Sequence, residues 1–178
     1  LCAGLSTARI EADLPEGTPV VRVMPNTPAQ VDEGMAAISG GKNATPEHLD
    51  RVTAIMSAVG KAVTVPEKYQ DAVTAISGSG PAYLFFVVEA MIDAGVMLGL
   101  PRDVSTLLVS QTMYGSAKLL VDSGEHPTVL RERVTSPGGT TAAALRELEV
   151  HRVKAAFISA MEAARDRSAH LARPAKEK

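Results

Sequence analysis

Ser136-Pro137-Gly138-Gly139-Thr140-Thr141 is the stretch of this 178-residue sequence best suited to hold a ligand, because it runs directly into Ala142-Ala143-Ala144-Leu145. The first N–H groups of a helix have no intrahelical partners, and with the helix dipole they favour an anion. Glycine there lets a ligand approach the backbone closely. No lysine follows as in a Walker loop and the loop is short, so a carboxylate suits it better than a polyphosphate. The same residues also describe an ordinary helix start capped by Thr140. Arg131, Arg133 and Arg146 flank the loop, either as a solvated basic face or as a source of added anion affinity.

Two further stretches carry chemistry. Ser77-Gly78-Ser79-Gly80-Pro81 precedes another helix and offers backbone donors, or else its glycines permit a sharp bend and a close helix crossing. Met24-Pro25-Asn26-Thr27-Pro28 follows a β-branched run ending at Val23, and in open α/β sheets ligands lie beyond the carboxyl ends of strands. Asn26 there either presents its amide to a ligand or closes a Pro-bounded turn through an Asx bond. Glu67, Glu132 and Glu147 read as first-turn or surface carboxylates. No Ser/His/Asp or Cys/His set emerges, so nucleophilic catalysis has little support. His48, His126, His151 and His170 lie far apart, and the one cysteine, Cys2, excludes an intrachain disulfide. No metal site is expected, and the cysteine usage suits a reducing cytoplasm.

The elements that must position these groups fall into two textures. Val20 to Val23 and Ala62 to Val65 read as buried strands, with a third at Met35 to Ile38. Between the latter two, Thr45 caps a helix with Pro46 at its first position, and Gly60 stops it. Strand, helix, strand is the pattern of an open α/β sheet. Beyond Pro66 the β signal ends. Helices are expected over Pro81 to Leu98, Pro101 to about Val121 closing at Ser123-Gly124, Thr128 to Val134, Thr140 to Glu149 and His151 to Leu171. The division predicted is 1–65, 66–172 and a polar tail 173–178.

Composition narrows the partners. Eighteen basic against twenty acidic side chains give a net charge of −2, which supplies no global field for nucleic acid. The uncharged stretch Ala72 to Val88 is expected to be cut by Ser77-Gly78-Ser79-Gly80-Pro81 and so to be too short for a membrane span. Aromatic residues are only 3%, so the core is aliphatic and its helices can approach closely. The helices at 81–98 and 101–121 are apolar over more than one stripe, which calls for cover from a second subunit or, in a monomer, from the helix Thr140 to Glu149 and the final helix. The chain opens on Leu1-Cys2-Ala3-Gly4-Leu5 without an initiator Met, and is expected to start inside a folded element.

Taken in order and spacing, Val21-Arg22-Val23-Met24-Pro25-Asn26-Thr27-Pro28, Asp71 through Tyr83, Ala94-Gly95-Val96 with Gly99-Leu100-Pro101-Arg102, Gln111-Thr112, and Val134 through Thr141 resemble pyrroline-5-carboxylate reductase over nearly the whole chain. The resemblance implies the C-terminal part of a Rossmann-type α/β domain followed by an all-α dimerisation domain. It implies reduction of L-1-pyrroline-5-carboxylate to L-proline with NADPH or NADH by a homodimer or higher oligomer, while the charge balance and the interrupted apolar stretch leave no part for nucleic acid or membrane and the cysteine usage suits the cytoplasm. Backbone donors of Gly139, Thr140 and Thr141, with Gly138 in the loop and Ser136 beside it, would receive the substrate carboxylate. The Thr141 hydroxyl would stand near the ring nitrogen as the catalytic group, and Glu67 matches a substrate-side acid. The loop would reach the active site of the partner subunit.

On the cofactor side, the resemblance implies Leu1, Cys2 and Ala3 at the nicotinamide ribose and Asn26 with Thr27 near the ring. Ser77, Gly78 and Gly80 would pack beside it. The Gly-x-Gly-x-x-Gly turn of the family does not occur in this sequence, so dinucleotide binding by the chain as written is expected to be poor. Arg133 stands where some relatives carry an amide near the cofactor, and Glu149-Val150-His151-Arg152 replaces a Gly-containing turn. The rival readings are a related imine or hydroxy-acid reductase and a non-catalytic dimerisation or amino-acid-binding module.

Overall fold

A computed structural model of the chain describes residues 4–171. The assignments at Leu1, Cys2 and Ala3 and the tail 173–178 lie outside the described residues. The order is α1 (Thr7–Glu11), β1 (Val21–Met24), β2 (Gly34–Gly40), α2 (Pro46–Ser57), β3 (Gly60–Thr64), α3 (Gln70–Val73), α4 (Gly80–Met97), α5 (Arg102–Ser123), α6 (Pro127–Arg133), α7 (Thr140–Val150) and α8 (Val153–Leu171). One compact unit runs to Ala82 and takes up the chain again from Ile158; the other is Tyr83–Phe157.

In the first unit the strands form one sheet in the order β1-β2-β3. β2 and β3 are parallel, with Gly34 opposite Gly60 and Ile38 opposite Thr64. β1 runs antiparallel to β2, with Val21 opposite Gly40 and Met24 opposite Ala37. β2 is the buried centre, where Ala36, Ala37 and Ile38 are at most 2% exposed. The reading of Ala62 to Val65 as a buried strand is corrected: among the described residues β3 pairs on one side, with β2, and Val63 is exposed. Thr45 and Pro46 start α2 as their types require. The Thr45 N–H donates to His48 Nδ1 at 3.0 Å, so that histidine is a capping group.

From Glu67 the backbone stays helical almost without interruption: a 3₁₀ turn at Glu67–Tyr69, α3, a π-helical turn at Thr74–Gly78, then α4. This corrects the expectation that Ser77-Gly78-Ser79-Gly80-Pro81 cuts the apolar stretch. Proline is tolerated in the first turn of a helix, and here the chain absorbs the glycines by widening one turn. The run Glu67–Met97 is 31 residues and, by length and composition alone, apolar enough to cross a membrane.

In the second unit α5 ends at Gly124 in the left-handed conformation (φ +63°). α4 and α5 pack through Ser105, which is 1% exposed and donates to the carbonyl of Ile92 at 2.8 Å. Gly95 admits that contact, since a Cβ there would collide with Ser105 Oγ. The outer faces remain bare: Phe85, Phe86, Leu107 and Tyr114 are each more than 60% exposed. A glycine-free turn at Glu149 to Arg152 leads into α8, with Arg152 at φ +54°.

Candidate active site

The Gly-Gly-Thr-Thr loop of the second unit starts α7 at Thr140, so the cap is Gly139 and not Thr140 as the ordinary reading had it. Among the described residues no side chain caps this start, and the loop is closed by the Gly139 N–H donating to the Ser136 carbonyl at 3.1 Å. Gly138 turns the chain at φ +68°, a conformation that favours glycine. Gly139 allows Ser136 to fold back against it, for a Cβ would meet Ser136 Oγ. Ser136, Gly138 and Thr140 are exposed and Thr141 is half-buried. The result is a helix start that no protein side chain caps, the arrangement that recruits an anion.

The three arginines near this loop do not act alike. Arg133 is paired with Glu125 at 2.5 Å. Arg131 and Arg146 line a cleft of about 340 Å³ between α6 and α7, with Glu132 and Glu149 on the same walls. The Lys154 ammonium, 2.8 Å away, holds the Glu149 carboxyl below the usual range. His126 is spent on capping α6, accepting from the Thr128 N–H at 3.2 Å. Among the described residues no group of three or more His, Cys, Asp or Glu could hold a metal ion.

In the first unit, Glu67 is engaged by the protein itself. Its carboxylate accepts from the Thr7 N–H and the Thr7 hydroxyl, both at 2.7 Å, and from Arg22 Nη1 at 3.4 Å. Burial pushes its pKa up, but the Thr7 and Arg22 bonds outweigh this and hold it below the ordinary value. Arg22 lies opposite Ser39 on β2, and Ser39 Oγ accepts from Gln70 Nε2 at 2.7 Å while donating to the Val65 carbonyl. Gln70 is fully buried. Sequence reasoning passed over Thr7, Arg22, Ser39 and Gln70. Arg22 lay inside a quoted motif, but nothing in the spacing pairs it with Glu67.

Asn26 is likewise occupied. Its Oδ1 accepts from the Met35 N–H at 2.8 Å and its Nδ2 donates to the Ser77 carbonyl at 3.1 Å. Because β1 is antiparallel to β2, Asn26 follows the carboxyl end of its own strand but sits where β2 begins. Thr27, exposed, opens a 3₁₀ turn over Thr27–Val31. Gly78 faces Met24: a Cβ there would stand 2.6 Å from the Met24 methyl carbon. Ser77 Oγ donates to the Val73 carbonyl at 3.2 Å. The structure thus brings Asn26, Ser77 and Gly78 together, and joins Glu67 to Thr7 and Arg22.

Comparison with known proteins places this geometry in context. The profile described as "Pyrroline-5-carboxylate reductase dimerisation" matches residues 67–171. A pyrroline-5-carboxylate reductase of Mycobacterium tuberculosis is 49% identical over 186 aligned residues, covering 95% of this chain and 63% of that protein. One from Methanosarcina acetivorans is 48% identical over 171 residues, covering 96% and 63%. The chain therefore spans a little under two thirds of the length of the curated relatives it matches. The crystal structure of Plasmodium falciparum pyrroline carboxylate reductase with NADP bound superposes with a TM-score of 0.90 at 37% identity, covering 97% of this chain and 69% of that one. The Coxiella burnetii enzyme gives 0.91 at 36% identity, covering 96% and 64%. The fold class is part of a Rossmann-type α/β domain followed by a helical dimerisation domain, as expected.

Proposed function

Because the chain belongs to the pyrroline-5-carboxylate reductase family, we propose that it serves the reduction of L-1-pyrroline-5-carboxylate to L-proline with NADPH or NADH, the last step of proline biosynthesis. The observation that carries this reading is the α7 start, which no side chain caps, inside the segment the family profile matches. The backbone N–H groups of Thr140 and Thr141 receive the substrate carboxylate, with Gly138 shaping the loop and the Gly139 N–H, which already donates to the Ser136 carbonyl, holding it closed beside Ser136. Thr141 brings its hydroxyl to the ring nitrogen and orients the cyclic imine. The imine accepts hydride more readily when protonated, so the protein's task is to align two ligands and stabilise an iminium ion.

NADPH supplies the hydride when bound. The residues of this chain suit its nicotinamide end only: Ser77 and Gly78 offer backbone there, and Thr27 an exposed hydroxyl. The Gly-rich turn that grips a pyrophosphate does not occur in this sequence. Glu67 keeps a part on the substrate side only by holding Thr7 and Arg22 in place, since its oxygens already accept three hydrogen bonds. The bare apolar faces of α4 and α5 support a homodimer or higher oligomer, and a cytoplasmic location follows from the same family reading.

The test is oxidation of NADPH by the full-length gene product with pyrroline-5-carboxylate. Turnover with proline as product is expected. Turnover only with another imine or a hydroxy acid would assign a related reductase, and absence of any nucleotide-dependent turnover would leave a binding module.

A further inference from the structure

Asn26 and Pro81 lie in separate motifs 55 positions apart, yet one backbone carbonyl links them. In a continuous helix the carbonyl of Ser77 would accept from the N–H four residues on. That residue is Pro81, which has no N–H. The helical path runs through this point all the same. The Ser79 N–H reaches back five residues to the Thr74 carbonyl at 2.8 Å, and the Ala82 N–H returns to Ser79 at 3.0 Å. Ser77 is thus the carbonyl whose regular donor the sequence has removed. A half-buried carbonyl without a donor is costly. The donor it receives is Asn26 Nδ2 at 3.1 Å. The other end of the same amide is fixed by the N–H of Met35, the second residue of β2, so the side chain is clamped at both ends.

We infer that Asn26 is a positioning residue: its amide replaces the hydrogen bond that Pro81 cannot make, and so locks the wide turn Thr74–Gly78 against the sheet. Met24 completes the lock by lying against Gly78. Turns of this π-helical kind are rare and unfavourable, and they persist where surrounding groups hold them. The consequence for chemistry rests on the proposed reductase function: Asn26 acts through the backbone of Ser77 and Gly78 and does not spend its amide on the nucleotide.

A double-variant cycle tests this. Asn26→Asp keeps an acceptor for the Met35 N–H and removes the donor to Ser77. Pro81→Ala restores an N–H at position 81 that can reach the Ser77 carbonyl. In the full-length protein, Asn26→Asp is expected to lower kcat about three- to tenfold, the net value of one ordinary hydrogen bond to a half-buried partner. Nucleotide Kd should stay within about twofold, because the bond lost is internal. Adding Pro81→Ala should recover most of the loss in kcat and in Tm, and the new amide at 81 should exchange slowly with solvent. If Asn26→Asp alone fails to fold, folding of the double variant is the same rescue. A large rise in nucleotide Kd with no recovery by Pro81→Ala would overturn the inference in favour of direct contact. So would a double variant no more stable than Asn26→Asp, with a fast-exchanging amide at 81. If the protein turns over no pyrroline-5-carboxylate, the reductase reading fails, while the Tm and exchange arms still decide the role of Asn26.

Discussion

Replacing Arg152 by glycine should make the protein more stable. Arg152 sits at φ +54° between α7 and α8, in the left-handed region, with its side chain exposed. An L-residue with a Cβ pays roughly 1–2 kcal/mol there. Glycine removes that cost but adds freedom to the unfolded chain worth about 0.4–1 kcal/mol. The net gain is about 1 kcal/mol, and for a domain of this size that raises Tm by about 2–4 °C. Scanning calorimetry of Arg152→Gly against the parent reads this directly, with Arg152→Ala as the control. Alanine deletes the same side-chain atoms while keeping the Cβ, so it should leave Tm within about 1 °C of the parent. A gain of equal size with alanine would refute the backbone explanation and place the effect in the arginine charge. No gain with glycine would mean that the surrounding turn stabilises the left-handed conformation enough to cancel its cost.

Gly95→Ala should destabilise by about 1–3 kcal/mol, as overpacking at a close helix crossing does, because Ser105 cannot turn away without abandoning the Ile92 carbonyl; chemical denaturation measures it, and an unchanged midpoint would show that α4 and α5 are loosely packed. Thr141→Ala should lower kcat/KM by the value of one hydrogen bond, roughly 0.5–1.5 kcal/mol; unchanged kinetics would remove Thr141 from the mechanism. Glu67 has a folded pKa below its ordinary value of 4.5, so its contribution is present above that pH and is lost as pH falls through the folded value. Stability of the parent should therefore drop more steeply than that of Glu67→Gln as pH is lowered from about 5 towards 3, and parallel curves would show that Thr7 and Arg22 do not hold the carboxylate.

The sequence made the element types readable because periodicity and punctuation act locally. Thr45-Pro46 started α2, Gly124 ended α5 and the 35–38 run lay within β2. What escaped it was set by contacts between distant segments. The Thr7 to Glu67 bonds span 60 positions, and Thr7 carries no local mark of a carboxylate partner. β3 looked like a buried strand from its β-branched residues alone, but burial depends on what lies alongside, and among the described residues β3 has β2 as its one partner. Ser77-Gly78-Ser79-Gly80-Pro81 looked like a break for a similar reason. Composition says where a helix is weak; only the fold supplies the Asn26 amide that mends it.

The same distinction separates the Gly-Gly-Thr-Thr loop from Asn26 and Glu67. At Gly138-Gly139-Thr140-Thr141 the feature is a backbone one, written by residues adjacent in sequence, so a start of α7 without a side-chain cap follows from the order of glycines and threonines. At Asn26 and Glu67 the polar groups looked available because sequence shows a side chain without its neighbours. Folding assigns both of them to internal partners: Asn26 ties its turn to Ser77 in the helical run that begins at Glu67, and Glu67 ties the start of that run to the first residue of α1. A polar residue in a motif is therefore weaker grounds for ligand contact than a helix start that no side chain caps. The first has many internal claimants for its hydrogen bonds, whereas the second has, among the described residues, no side-chain claimant and one backbone claimant, the Ser136 carbonyl that takes the Gly139 N–H.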